Sequence, residues 1–237
     1  NGLAVAVSAA QGMNLSVTGT LNATDTSGAG NAYAIAAGSA SGSSWNVGGA
    51  YDDTVTLGSG ASIAGDIDLG GGTNLLTLLG GGTLVGDIAS ISTLAKSGSG
   101  TWSTTGAIET SALSVSGGTL LVNVTQTATS TVTVSGTVTN DGVISFALDD
   151  LMAPGTFTVL DAGSLAGSGT YASVSAFLSA SVDSANSDVN LTKLSFSDVF
   201  SDSDSTSQQL AEAIDDNYSS ADDELSDLIS AIEQAST

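Results

Sequence analysis

The sequence contains two pairs of closely spaced aspartates, and such pairs could support catalysis. Asp52 and Asp53 are adjacent, and Asp66 and Asp68 are separated by one residue. Two carboxyl groups at a suitable distance can serve as the acid and the base or nucleophile of glycoside hydrolysis. Aspartates in turns between short strands are more commonly solvated, and we favour that interpretation for both pairs. No catalytic residue is therefore assigned.

Glycine-rich segments near these aspartates raise calcium binding as a second chemistry. Segment 48–57, GGAYDDTVTL, is similar to the calcium-binding nonapeptide GGxGxDxUx. Tyr51 stands at the position of the second required glycine, and segment 70–78, GGGTNLLTL, lacks the required aspartate. Tight turns explain both segments better, so we predict no metal and no cofactor. A calcium-dependent protein of type I secretion remains an alternative.

The residue types that the sequence lacks exclude several classes of site. The 237 residues contain no His, no Cys, no Arg and only two lysines, Lys96 and Lys193. Ser-His-Asp or Cys-His catalysis and the usual zinc and iron sites are therefore excluded. A formal net charge of −22 argues against nucleic acid or anionic lipid as a partner, because both require basic residues. We expect no enzyme activity.

Short β-strands are the elements that must position these residues. Apolar side chains alternate with polar ones, for example at Leu3, Val5 and Val7, and the runs are separated by Gly and Ser. A period of two places each apolar set on one face of a strand. No run approaches the roughly 18 apolar residues of a membrane-spanning helix, so we expect no membrane insertion of this segment.

Sequence motifs recur at a spacing of about 20 residues. AGDIDL at 64–69 returns as VGDIAS at 85–90, and GGGTLVGD at 80–87 resembles SGGTLLVN at 116–123. This spacing suits one coil of a right-handed parallel β-helix with three short strands, which gives eight to nine coils up to Lys193. We therefore predict an all-β fold of this type. A β-sandwich remains an alternative, although hairpin turn signals are nearly absent.

Two motifs around Trp102 resemble the passenger-associated repeat of bacterial autotransporters. The halves of that repeat, K-x-G-x-G-T-W and V-x-G-G-T-L, occur here in the same order. The matching residues are Lys96, Gly98, Gly100, Thr101, Trp102, Val115, Gly117, Gly118, Thr119 and Leu120. Segment 157–174 resembles the stretch that follows in the family, and segment 207–216 resembles the helical linker before its membrane β-barrel. The resemblance covers about residues 50–237 and implies the C-terminal part of a type Va passenger.

The resemblance implies three parts along the chain. Residues 1–93 would be β-helix coils of the passenger. Residues 94–195 would be an autochaperone-like cap that folds first and templates the other coils. Residues 196–237 would be an acidic helical linker that leads to the membrane β-barrel, which this sequence lacks.

Trp102 is expected to have a structural role in the cap. A solenoid end exposes an unpaired strand edge, and a large indole could cover the small side chains of the last coils. The favoured interpretation is that Trp102 is a core aromatic, and in this fold such a residue would itself stabilise the cap. Trp45 is predicted to be a loop or core aromatic. The residues assigned to the cap are Trp102, Gly98, Gly100, Gly117 and Gly118.

The last forty residues differ in composition and predict two short helices. Eleven of the 24 acidic residues of the chain lie in 198–237. Thr206 and Gln209 fit a capping box, and Leu210 and Ile214 lie one helical turn apart. A second helix is predicted from an acidic first turn and an apolar face. That turn is Asp222, Asp223 and Glu224, and that face is Leu225, Leu228, Ile229 and Ile232.

These features favour an adhesive or structural passenger at the surface of a Gram-negative bacterium, or secreted from it. The expected partners are host or bacterial surface molecules, other copies of the chain and the barrel of the same protein. A stalk and folding scaffold for an upstream enzyme domain is the main alternative.

Overall fold

The computed structural model describes residues 4–23, 32–41, 44–46, 51–124, 131–148 and 154–217, together with residues 229 and 232. These residues form mostly β-structure, with parallel sheets and two helices. The first strands are β1 (Ala4–Ala9), β2 (Asn14–Val17), β3 (Thr20–Asn22), β4 (Ala32–Ala37), β5 (Ser39–Ser41), β6 (Ser44–Asn46), β7 (Thr54–Leu57), β8 (Ser62–Ala64) and β9 (Asp66–Asp68). They are followed by β10 (Leu75–Leu79), β11 (Gly82–Val85), β12 (Ile88–Ser97), β13 (Thr101–Thr105), β14 (Ile108–Val115), β15 (Thr119–Val124) and β16 (Val132–Asn140). The last elements are β17 (Val143–Leu148), β18 (Gly155–Ala166), β19 (Thr170–Ser173), β20 (Leu178–Asp183), β21 (Asp188–Lys193), α1 (Phe196–Val199) and α2 (Ser205–Asn217).

Two large sheets contain nearly all of these strands. One sheet has seven strands in the order β19-β17-β15-β13-β11-β8-β3, all paired in parallel. The other has twelve strands along the path β1-β4-β9-β12-β14-β16-β18-β21-β20, with β2, β7 and β10 joined to it through β12. A separate antiparallel pair is formed by β5 and β6. A β-sandwich is built from antiparallel sheets, so the parallel pairing contradicts that alternative.

Strand β12 shows how the long strands connect two strips of the larger sheet. Its first residues pair with β9, where Ile88 lies opposite Ile67. Its last residues pair with β10, where Leu94 lies opposite Leu76. The strands β14 and β16 continue both strips in parallel. The chain therefore visits three strips of parallel strands in turn, two in the larger sheet and one in the smaller.

The sequence repeats lie side by side in this arrangement. Ile67 of the first copy is opposite Ile88 of the second, and Ala64 is opposite Val85. Leu84 is paired on its other side with Thr104, twenty residues later. Equivalent residues of successive repeats thus occupy equivalent positions in neighbouring strands.

Alternation of buried and exposed side chains builds one continuous core between the strips. In β7 and β10 the buried residues are Val55 and Leu57, and Leu76 and Leu78, and each is fully buried. Buried residues from Met13 to Leu191 belong to the same apolar cluster. The predicted boundary between residues 93 and 94 falls inside β12, so the two parts share this core.

The expected number of repeats is too high for the described residues. The smaller sheet contains seven strands rather than eight or nine. The reason lies near the beginning of the chain, where β3 pairs with β8 although Leu21 and Ile63 are 42 positions apart. The described part of the intervening chain forms β4, β5, β6 and β7, and so departs from the 20-residue spacing.

In the larger sheet the parallel order ends at β18, whereas β19 still pairs in parallel with β17 in the smaller sheet. Strand β21 pairs with β18 in the antiparallel direction, and β20 pairs with β21 in the same way. The chain then enters α1, where Ser195 and Asp198 form a capping box. This box was not expected from the sequence.

The start of α2 differs from the prediction. The Asp204 carboxylate accepts hydrogen bonds from the backbone N–H groups of Thr206 (3.0 Å) and Ser207 (3.1 Å). Asp204, and not Thr206, is therefore the capping residue, because an aspartate before the first turn accepts these bonds well. Leu210 and Ile214 lie one helical turn apart in α2, as predicted, and line the same apolar pocket, but Leu210 is 62% exposed and the buried residue beside them is Ala211.

Candidate functional site

Trp102 lies in β13 and is completely buried. Its Nε1–H donates a hydrogen bond of 3.1 Å to the carbonyl oxygen of Leu79. The residue opposite Trp102 on the preceding strand is Gly82, and a Cβ atom there would lie 2.7 Å from the indole ring. The smallest residue therefore makes room for the largest one, and Trp102 is a core residue.

The position of Trp102 does not match the predicted cap. Strand β13 is the middle strand of the seven-stranded sheet, with three strands on each side. The indole consequently fills the interior of the core rather than covering an end. Full burial fits the core-aromatic interpretation, and the motif alone carries no information about how many strands follow it.

Lys96 is the second large polar residue of the motif, and it is also completely buried. It lies between Leu78 and Val115 on the neighbouring strands. Its ammonium group donates to the carbonyl oxygens of Ser97 (3.3 Å), Gly98 (3.0 Å) and Gly117 (3.0 Å). Burial lowers the pKa of this ammonium group. A buried charge requires such partners, so Lys96 ties the turn after β12 to the turn after β14.

The glycines of the motif are placed around this ammonium group. Gly118 has a φ of +66°, and a Cβ atom there would lie 2.4 Å from the Gly100 oxygen and 2.7 Å from the Lys96 Nζ. The backbone N–H of Thr119 donates 2.9 Å to the Gly100 oxygen. The structure therefore brings the predicted residues together: Gly98, Gly100, Gly117 and Gly118 form two adjoining turns around Lys96.

This site has a structural role rather than a chemical one. Lys96 and Trp102 are both enclosed, so neither side chain is open to a substrate. The three hydrogen bonds of Lys96 satisfy its own buried ammonium group, whose burial without partners would be costly. The residues that carry the family resemblance are thus those that fasten two neighbouring turns.

The first aspartate pair is engaged with the backbone. Asp53 is only 1% exposed, and its carboxylate accepts a hydrogen bond of 2.5 Å from the backbone N–H of Met13. Asp52 accepts a bond of 2.7 Å from the N–H of Thr73. Burial raises the pKa of Asp53; the bond from Met13 opposes this rise, and the charge of Asp52 adds to it. Both side chains link successive turns.

Two predictions concern residues that are described only in part. Of the calcium-like segment 48–57, residues 48–50 lie outside the described residues, as does the side chain of Trp45.

The second aspartate pair has the same role at another corner. Asp66 accepts a bond of 2.9 Å from the N–H of Asp87, and Asp87 accepts one of 2.8 Å from the N–H of Ala107. Asp68 accepts a bond of 3.0 Å from the N–H of Gly70. Burial raises the pKa of Asp66 despite the bond from Asp87. Each of these carboxylates accepts a hydrogen bond from a backbone N–H group. Within the described residues, no group of three or more Asp or Glu side chains is placed to hold a metal ion.

An aromatic cluster, missed from the sequence, lies where the helices meet the sheet. The ring centroids of Phe177 and Phe196 are 4.7 Å apart, and Phe200 lies 6.2 Å from Phe177. The Lys193 Nζ is 4.9 Å from the Phe177 centroid, and Lys193 is 2% exposed. Ala211 and residues 229 and 232 pack on the same cluster. Phe196 and Phe200 are one helical turn apart, but Phe177 lies 19 residues before Phe196, so no periodic pattern in the sequence predicts its contact with them.

Burial of both lysines determines the charge of the surface. Lys96 and Lys193 are the only basic residues of the chain, and both are buried. The surface therefore displays carboxylates and neutral groups but no cationic side chain.

A polar groove on the larger sheet was also missed. It has a volume of about 510 Å³ and crosses β12, β14 and β16 where their pairing changes register. We call it the serine groove. It is lined by Gly70, Gly72, Ser90, Ile91, Ser92, Glu109, Thr110, Ser111, Thr133 and Ser135.

Comparison with known proteins adds no further assignment. None of the helices in the described ranges is long and apolar enough to span a membrane. The chain matches no family model, no curated protein and no solved structure.

Proposed function

We propose that this chain is part of an autotransporter passenger: a right-handed parallel β-helix that acts as an adhesive and structural module. It would be displayed on the outer membrane of a Gram-negative bacterium or released from it. The observation that carries the proposal is the contact between the two motif halves. Lys96 from the first half binds the Gly117 oxygen of the second, so the residues shared with that family act together.

The pairing of the strands supports the β-helix part of the proposal. Equivalent residues about 20 positions apart lie opposite each other in parallel strands, as Leu84 does with Ile63 and Thr104. The crossover connection between two parallel strands of one sheet is right-handed in nearly all proteins. A chain that repeats this crossover through three strips would wind into a right-handed helix of β-strands.

The surface supports an adhesive role better than an enzymatic one. The acid pairs bind backbone groups, and both lysines are buried. The partners proposed are surface molecules of host or bacterial cells and other copies of the chain, as in biofilm formation. Nucleic acid is not proposed, because it requires exposed basic residues.

Deletion of this segment from the chromosomal gene tests the proposal. The parent strain is expected to display the segment to external antibody and protease, and the deletion is expected to reduce autoaggregation or attachment to cells. A control deletion in an unrelated surface protein should not do so. Detection of the segment only inside unbroken cells would contradict display, and unchanged adhesion would contradict the adhesive role.

A further inference from the structure

We propose that the serine groove binds an uncharged polysaccharide. This inference deepens the proposed adhesive function, on which it rests, by naming the class of ligand. It is drawn from the shape of the groove, from its unused polar groups and from the charge of the surrounding surface.

The shape of the groove comes from β-bulges. Between Ile88 and Ile91, β12 has one residue more than β14, and between Val134 and Val138, β16 also has one more than β14. Extra residues bend a strand locally and often occur beside binding sites. Ser90 lies in the first bulge with a φ of +59°, which is uncommon for a residue other than glycine. Two bent strands thus flank the straighter β14 and leave a trough across three neighbouring strands.

The groove offers polar groups that the protein does not use. The side chains of Ser90, Ser111, Ser135 and Glu109 are exposed, and none makes a hydrogen bond within the described part of the chain. The hydroxyl of Thr110, which points into the protein, instead donates to backbone oxygens at 3.0 Å. Three free hydroxyls and one carboxylate at neighbouring strand positions can therefore receive a ligand rich in hydroxyl groups.

Charge restricts the ligand to uncharged sugars. Among the described residues that line the groove, Glu109 is the only one with an ionisable side chain, and both lysines of the chain are buried and cannot offset it. A uronic acid or sulfated polymer would be repelled by this carboxylate and by the net charge of −22. Neutral sugars suit the site because a carboxylate can accept hydrogen bonds from sugar hydroxyls while serine hydroxyls both donate and accept.

Repetition along the strands favours a polymer over a single sugar. Ser90, Ser111 and Ser135 come from three neighbouring strands, which are spaced about 4.8 Å apart. The described lining residues include no aromatic side chain that could stack on a sugar ring, so each sugar unit contributes little. Contacts repeated along an extended chain would raise the affinity through effective concentration.

Titration of the complete chain with defined oligosaccharides tests this proposal. Isothermal calorimetry and two-dimensional NMR would be run with neutral hexasaccharides (maltohexaose, cellohexaose, chitohexaose and mannohexaose) and with anionic hexagalacturonate. We expect at least one neutral probe to bind with shifts at Glu109, Ser111 and Ser135, and hexagalacturonate not to bind. Absence of binding by every neutral probe at millimolar concentration, or preference for the anionic one, would overturn the inference.

Two variants and a matched control locate the binding. Ser111→Trp fills the groove and should weaken binding by on the order of ten-fold or more, and Glu109→Gln should weaken it by about three-fold. Val85→Trp places the same indole on an exposed position of the other sheet and should leave binding unchanged. If Ser111→Trp does not fold, the shifts in the parent chain and the Glu109→Gln titration decide. Binding equal in all variants would contradict the site.

The result separates this inference from the proposed function. Deletion of the segment measures adhesion on cells, whereas the titrations measure sugar binding by the isolated chain. Adhesion that is lost on deletion but kept in a Ser111→Trp strain would reject the groove as the adhesive site and leave the passenger proposal standing.

Discussion

At the scale of single residues, the close contact between Trp102 and Gly82 allows a prediction about the core. Trp102→Ala removes a fully buried indole, so we expect the free energy of unfolding to fall by about 3–5 kcal/mol. Gly82→Ala should lower it by about 1–3 kcal/mol, because the added carbon would meet the ring and the Ala61 oxygen. Chemical denaturation measures both values.

Val85→Ala is the control for this prediction. Val85 is 55% exposed on the strand that also contains Gly82, and its truncation should change the free energy of unfolding by less than about 0.5 kcal/mol. An equal loss of stability in Val85→Ala and Trp102→Ala would contradict the central position of Trp102 in the core.

Three aspartates in register also allow a prediction about pH. Asp188 lies opposite Asp161 on one side and Asp183 on the other. Slight burial and then the charges of Asp161 and Asp183 raise the pKa of Asp188. A raised pKa in the folded state means that ionisation weakens the fold, so stability should increase as the pH falls through the raised pKa towards the ordinary value.

Asp188→Asn should therefore raise the melting temperature at neutral pH. The gain should disappear below the ordinary aspartate pKa of about 3.8, where the carboxyl group is protonated in both states. Asp183→Asn is the opposite case, because hydrogen bonds from Asn186 and Ala185 lower the pKa of Asp183, and it should lower the melting temperature at neutral pH. Melting curves of the two variants that shift in the same direction would contradict these assignments.

At the scale of elements, the aromatic cluster joins the helices to the sheet. Phe196 is buried against Phe177 and begins α1. We expect Phe196→Ala to lower the local stability of α1 and α2 by about 3–5 kcal/mol, since the helices have few other contacts with the sheet. Hydrogen exchange followed by mass spectrometry would show faster exchange in residues 196–217 and unchanged exchange in β13. Equal acceleration in both regions would mean that the helices and the sheet unfold as one unit.

The alternation of apolar and polar residues predicted where strands occur, but it did not predict where they end or which long-range contacts they make. The repeat of AGDIDL and VGDIAS identified strands that do lie side by side, because equivalent residues face the same core. The helix start at Asp204 was missed because Thr206 offers the same local chemistry two residues later. The aromatic cluster and the serine groove were missed because both depend on contacts or register shifts between segments distant in sequence.

The glycines illustrate the same limit within the site. Their positions in the two motif halves were visible in the sequence, and the turns were expected. The sequence did not show why a glycine is needed at position 118. The atoms that leave no room for a side chain there belong to Gly100 and Lys96 on the preceding turn.

At the scale of the whole molecule, we propose that the turns joined by Lys96 and the core around Trp102 belong to a segment that folds first. Repeated strands contact mainly their neighbours, so a locally stable segment can form early and template the rest. The Lys96 contacts and the antiparallel strands of the larger sheet lie within residues 94–195, while Trp102 also contacts Leu79 and Gly82 before them.

Pulse-labelling hydrogen exchange during refolding tests whether this segment folds first. Amides in 94–195 are expected to gain protection before those in 1–93, and Trp102→Ala should delay protection in both parts while Val85→Ala delays neither. Earlier protection of residues 1–93, together with an unchanged refolding rate in Trp102→Ala, would contradict the account.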